Sequence, residues 1–174
     1  WHRDRLGLAV VAITGSNGKT TTKDFTAAAL ARRFRVTATR GNLNNHIGLP
    51  LSVLAAAADD QAAVWELGMN HPGELAPLCG ISRPQVGIIT NIGTAHIEYM
   101  GSREAIALEK GELAAAVHAG GCVILNANDD FTPVIAARCQ APILTAGIDA
   151  GDVRVTGVQS GPDGCRFQLH LPDG

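Results

Sequence analysis

The stretch VVAITGSNGKTTT, Val10 to Thr22, decides the fold. An apolar run of strand type breaks at Gly15 and passes through Gly18-Lys19-Thr20 into residues that continue as a helix. A glycine-rich turn between a buried strand and a helix points several backbone N–H groups into one concavity, at the positive end of the helix dipole, and so makes an anion site. The Lys-Thr pair narrows the anion to a nucleotide polyphosphate, because lysine reaches the β- and γ-phosphates while a threonine hydroxyl coordinates the accompanying magnesium. The usual phosphate-loop pattern is G-x-x-x-x-G-K-[ST]. Here Ile13 stands five residues before Gly18, and Gly15 supplies the first glycine of a shortened G-x-x-G-K-T. Gly15, Ser16, Asn17, Gly18, Lys19, Thr20 and Thr21 are the candidate nucleotide-binding residues.

Around that loop, 174 residues suffice for one well-buried domain and are too few for two typical ones. Hydrophobic residues at 46%, charged residues at 17% and a mean hydropathy of +0.12 place the chain among globular proteins rather than disordered ones. A net charge of -2 without a basic stripe gives no support to nucleic-acid or membrane-surface binding. The longest apolar runs, such as LGLAVVAI, fall far short of the ~18 residues of a membrane span. The first residues, WHRDRLGL, lack the apolar core of a secretory signal. Cys79, Cys122, Cys139 and Cys165 show no C-x-x-C spacing and read as free thiols of a cytoplasmic protein.

Short apolar segments alternate with helical ones, which predicts an α/β fold: a mostly parallel sheet with helices on both faces. LAVVAIT, AAVWELGM, QVGIITNI and GCVILNA read as buried strands. TTTKDFTAAALARRF, LSVLAAAA, GELAPLCG, SREAIALEKGELAAAVHAG and TPVIAARC read as helices, the fourth with Ser102 as N-cap and Gly120-Gly121 as its stop. From Val153 the chain alternates instead, and CRFQLHL places Cys165, Phe167, Leu169 and Leu171 on one face. With GPDG as the turn, this predicts an antiparallel hairpin appended to the core. Ending at LPDG, the chain reads as a fragment.

Four further groups can do chemistry. A phosphoryl-transfer site needs a carboxylate opposite the phosphate loop to hold magnesium, and Glu66 closes the apolar run AAVW where α/β sheets bind ligands. A solvated strand-end glutamate is the alternative. His96, at the end of TNIGTAH, emerges one strand later as a metal ligand, a proton acceptor or a plain surface histidine. Lys110 shares a helical stripe with Ile106, Leu113 and Val117, a costly place for an ammonium unless it snorkels, pairs or is modified. Asn44 and Asn45, within NLNN, can contact a substrate or phosphate, or simply shape a turn.

TGSNGKTTTK, TRGNLNNHIGLPLSVL, ELGMNHPGEL, TNIGTAHIEYMGSREAIALEKGEL and VILNANDD, in that order, resemble the central ATP-binding domain of the Mur ligases over about Val10 to Asp130. GNLNN, ELGMN and AHIE with KGE resemble the branch that adds D-Ala-D-Ala to UDP-MurNAc-tripeptide through an acyl-phosphate. Another Mur-type ligase, folylpolyglutamate synthetase, and a phosphate-loop switch module are the competing readings. The resemblance implies Lys19 on the β/γ-phosphates and Thr20 with Glu66 on a first Mg2+. It further implies His96 on a second Mg2+, with Lys110 carbamylated and its new carboxylate on that metal. Lys19, His96 and Lys110 are the implied catalytic residues, with Asn44 and Asn45 toward substrate. The resemblance also implies that residues 1–174 are a monomeric central domain without the N-terminal UDP-sugar domain and the C-terminal domain, and therefore inactive in ligation by itself.

Overall fold

The computed structural model describes residues 2–162 and 164–172, without the side chains of Arg3 and Asp4. In chain order the elements are α1 (His2–Leu6), β1 (Ala9–Thr14), α2 (Lys19–Leu30), β2 (Val36–Ala38), α3 (Gly48–Leu54), β3 (Ala62–Glu66), α4 (Leu75–Ser82) and β4 (Val86–Ile89). There follow α5 (Ile97–Met100), α6 (Arg103–Ala116), β5 (Cys122–Asn126), α7 (Thr132–Ala136), β6 (Ile143–Ile148), β7 (Val153–Gly161) and β8 (Gly164–His170). The strands form one sheet in the order β2-β3-β1-β4-β5-β6-β7-β8, parallel throughout except for the antiparallel β7·β8 pair.

Chain direction across the sheet reverses at β1. From β1 the connection through α2 runs toward β2, whereas those through α4 and α6 run the other way, to β4 and β5. Right-handed crossovers then place α2 on one face and α4 with α6 on the other. Ligands in such sheets bind at the carboxyl ends of the strands where the order reverses. Glu66 is paired with Ile13 in the β1·β3 register, and Ile89 with Thr14 in β1·β4, so the loops after β1, β3 and β4 open at the same edge. Ala12, Ile13, Val64 and Trp65 are wholly buried, as expected for central parallel strands covered on both faces.

Several boundaries differ from the sequence reading. α3 begins at Gly48, before LSVLAAAA, because the Asn45 side chain accepts from Ile47 and Gly48 N–H at 3.1 and 2.8 Å. α6 starts at the expected Ser102 cap, whose hydroxyl accepts from Ala105 N–H at 3.1 Å, but ends at Ala116, before Gly120-Gly121. Val117 there turns to an extended backbone and is fully buried. The expected C-terminal antiparallel hairpin is present as β7 and β8, and β7 also pairs with β6, so it continues the sheet. Phe167, Leu169 and Leu171 remain 49%, 54% and 57% exposed. Asp163 of GPDG, with Asp173 and Gly174 of LPDG, lies outside the described residues. The four cysteines are free thiols. Among the described residues, no helix is long and apolar enough to cross a membrane.

Candidate functional site

The loop after β1 has the conformation its glycines allow. Gly15 sits at φ +145°, and a Cβ there would stand 1.8 Å from Thr90 Oγ1. Gly18, at φ +77°, is the left-handed N-cap of α2. The loop is stitched to the segment after β4. Ser16 N–H donates to Asn91 O and Asn17 N–H to Asn91 Oδ1, both at 2.9 Å. Gly93 N–H donates to Ser16 Oγ at 2.8 Å, and Thr90 Oγ1 to Asn17 O at 2.6 Å.

α2 has no side-chain cap and no acidic residue in its first turn. The first N–H groups of a helix have no intrahelical acceptor, so Lys19, Thr20 and Thr21 present theirs, with the dipole behind them, to whatever anion enters. Lys19 Nζ folds back onto the Gly15 and Ser16 carbonyls at 3.0 and 3.4 Å. Burial lowers its pKa below the ordinary lysine value, and the Glu66 carboxylate partly opposes that shift.

Glu66 is 3% exposed at the end of β3. Its Oε2 accepts from Thr20 Oγ1 at 2.9 Å and its Oε1 from Asn44 Nδ2 at 2.8 Å. This buried carboxylate is hydrogen-bonded by neutral groups. It meets the Thr20 hydroxyl in the oxygen chemistry that magnesium prefers, so the pair fits a cation beside the phosphate loop. Asn44 is thus engaged with the carboxylate, and Asn45 with the start of α3. Gly68 lets Asn44 approach: a Cβ there would lie 2.8 Å from Asn44 Cγ.

His96, half-buried, is the N-cap of α5 at φ +64°, a backbone region that non-glycine residues occupy rarely. The loop leading to it is clamped at Ile92. Ile92 N–H donates to Asp129 Oδ2 at 2.6 Å and its carbonyl accepts from Arg103 Nη2 at 2.8 Å, while Arg103 also pairs with Asp130. Lys110 does not snorkel. It is 2% exposed, and its Nζ has no hydrogen bond or ion pair among the described residues. Burial, with repulsion from Lys19 adding and Glu109 opposing, brings its pKa from 10.5 down to about 8. Among the described residues, no group of three or more His, Cys, Asp or Glu is gathered for a metal, so a cation near His96 would need a further ligand.

Sequence reasoning missed Asn91, although it lies inside the TNIGTAH segment already singled out. It also missed Asp129 and Thr39, whose contacts arise only when separate strand ends meet.

The Mur ligase middle domain profile matches residues 13–174. Over 97% of its length the chain is 40% identical to UDP-N-acetylmuramoyl-tripeptide–D-alanyl-D-alanine ligase of Bacillus subtilis, and it spans 36% of that enzyme. Its fold superposes on MurF of Acinetobacter baumannii with a TM-score of 0.94 and 40% identity, covering 99% of this chain and 38% of that one. MurF of Thermotoga maritima in complex with ADP superposes with a TM-score of 0.88 and 30% identity, covering 99% of this chain and 41% of that one.

Proposed function

Because the chain belongs to the Mur ligase family, we propose that it is the ATP-binding domain of a ligase that joins D-alanyl-D-alanine to a UDP-N-acetylmuramoyl tripeptide. The observation that carries the nucleotide part of this reading is the uncapped N-terminus of α2 beside the Thr20–Glu66 pair, and the 40% identity to the Bacillus subtilis ligase over 97% of the chain supports the substrates.

When the triphosphate enters, Lys19 leaves the Gly15 and Ser16 carbonyls for the β- and γ-phosphates, and the first-turn N–H groups of α2 receive phosphate oxygens. Thr20 and Glu66 would hold a magnesium ion, whose charge would offset that of the phosphates. The tripeptide carboxylate attacks the γ-phosphorus and ADP leaves, giving an acyl-phosphate. The amine of the dipeptide then attacks the acyl carbon and displaces phosphate. Lys110 acts as a carbamate: its neutral amine bonds to the carbon of carbon dioxide and releases a proton to water. The resulting anion, with His96, would hold a second magnesium.

Calorimetry of Mg-ADP binding tests the reading. Lys19→Ala is expected to weaken binding roughly 10- to 100-fold, the loss of a charge-assisted contact. Wild-type affinity in that variant would overturn the phosphate-loop assignment.

A further inference from the structure

Lys23 is the buried lysine of α2, one helical turn beyond Lys19 and Thr20, with a side chain only 7% exposed. Burying an ammonium is costly unless its donors are satisfied. Its Nζ donates to the Thr39 carbonyl at 2.9 Å and lies 3.1 Å from Asp24 Oδ1.

Thr39 follows the last residue of β2 and is 2% exposed. Its N–H donates to the Val64 carbonyl at 3.1 Å, and its hydroxyl accepts from Glu66 N–H at 3.0 Å. A side chain thus supplies the β2–β3 rung where the backbone of β2 has ended. That rung falls on the residue whose carboxylate receives Thr20 and Asn44. Thr20 and Lys23 are three apart on one helix and so lie on the same side of it. The helix bearing the hydroxyl partner of Glu66 therefore also bears a charged tether to the strand end that orients Glu66.

We propose that Lys23 is a positioning residue for the cation site at Thr20 and Glu66: by gripping the Thr39 carbonyl, it fixes the Thr39 hydroxyl at the Glu66 N–H and sets how the carboxylate meets Thr20. Lys23 touches neither nucleotide nor metal in this role. The inference rests on the Mg-nucleotide reading above.

The test is calorimetry of ADP binding to residues 1–174, once with magnesium and once in chelator, for wild type, Lys23→Met, Lys23→Arg, Thr39→Val and Thr39→Ser. Lys23→Met and Thr39→Val are expected to keep the magnesium-free affinity while the gain from magnesium falls about tenfold, the usual cost of losing a group that orients a ligand. Lys23→Arg and Thr39→Ser, which keep a donor and a hydroxyl, should recover most of that gain. A packing role would move both affinities together, and an unchanged magnesium gain in Lys23→Met and Thr39→Val overturns the proposal. Should Lys23→Met fail to fold by circular dichroism, Lys23→Leu takes its place with the same expected and overturning results, while Thr39→Val tests the hydroxyl link on its own. A wild type without any magnesium gain would refute the cation site itself, and this inference with it.

Discussion

Glu66 and Lys110 are both buried charges close enough to Lys19 for charge to act between them, yet their surroundings differ in kind. Glu66 has each carboxylate oxygen met by a neutral donor, from Thr20 on one side and Asn44 on the other, and its N–H is taken by Thr39. Lys110 sits on the apolar stripe of α6 with fully buried Ile106 and Leu113, with no hydrogen bond or ion pair to its Nζ among the described residues. A buried carboxylate with oriented oxygens is a finished ligand. A buried amine without a partner is costly as an ammonium, and becomes useful there once its charge is removed or reversed. On the reading proposed above, one half of the site is built by folding, and the other would be completed by modification of Lys110.

The largest expected effect comes from the unfinished half. In the unfolded chain Lys110 titrates near 10.5, and in the fold near 8. Between those values the unfolded state binds more protons, so this group makes stability rise with pH across that window. Below about pH 8 the full penalty stands, roughly 3 kcal/mol. Lys110→Met in bicarbonate-free buffer is therefore expected to be more stable at pH 7 by up to about 3 kcal/mol, with the advantage vanishing above pH 10.5. Denaturant melts of both proteins over this range check it. Equal stability at pH 7 would mean that Lys110 is solvated after all, and the contrast with Glu66 would collapse.

Glu66→Gln probes the finished half and should cost less. The amide keeps an acceptor for Thr20, so the fold is expected to stand while the magnesium-dependent gain in nucleotide affinity drops roughly 10- to 100-fold. That corresponds to about 1.4–2.7 kcal/mol. Titration calorimetry with and without magnesium reads it. A retained gain would show that the buried carboxylate is structural.

Legibility in the sequence follows the same physics. β1, β3, β4 and β5 were readable because central parallel strands are continuous apolar runs. The phosphate loop was readable because its glycines, lysine and threonine fall in the order the anion site demands. β2 has three residues, and β6 is half-exposed, with Thr145, Ala146 and Gly147 at its centre, so neither carries an apolar signature. Glu66 was visible as a charge at the end of an apolar run, and Lys110 as a charge on an apolar stripe. Thr39 was not, because a hydroxyl standing in for a backbone rung leaves no pattern along the chain. Asn44 and Asn45 were legible as polar loop residues, but their division of labour, one on Glu66 and one on α3, depends on where Gly68 and Ile47 meet them.

The most direct test of the contrast is carbon-13 NMR of the chain in labelled bicarbonate with magnesium and ADP. A carbamate resonance is expected in wild type, absent from Lys110→Arg and unaffected in Lys23→Arg. No such resonance under saturating bicarbonate, or one that persists in Lys110→Arg, would contradict the claim that Lys110 is the half of the site completed by modification.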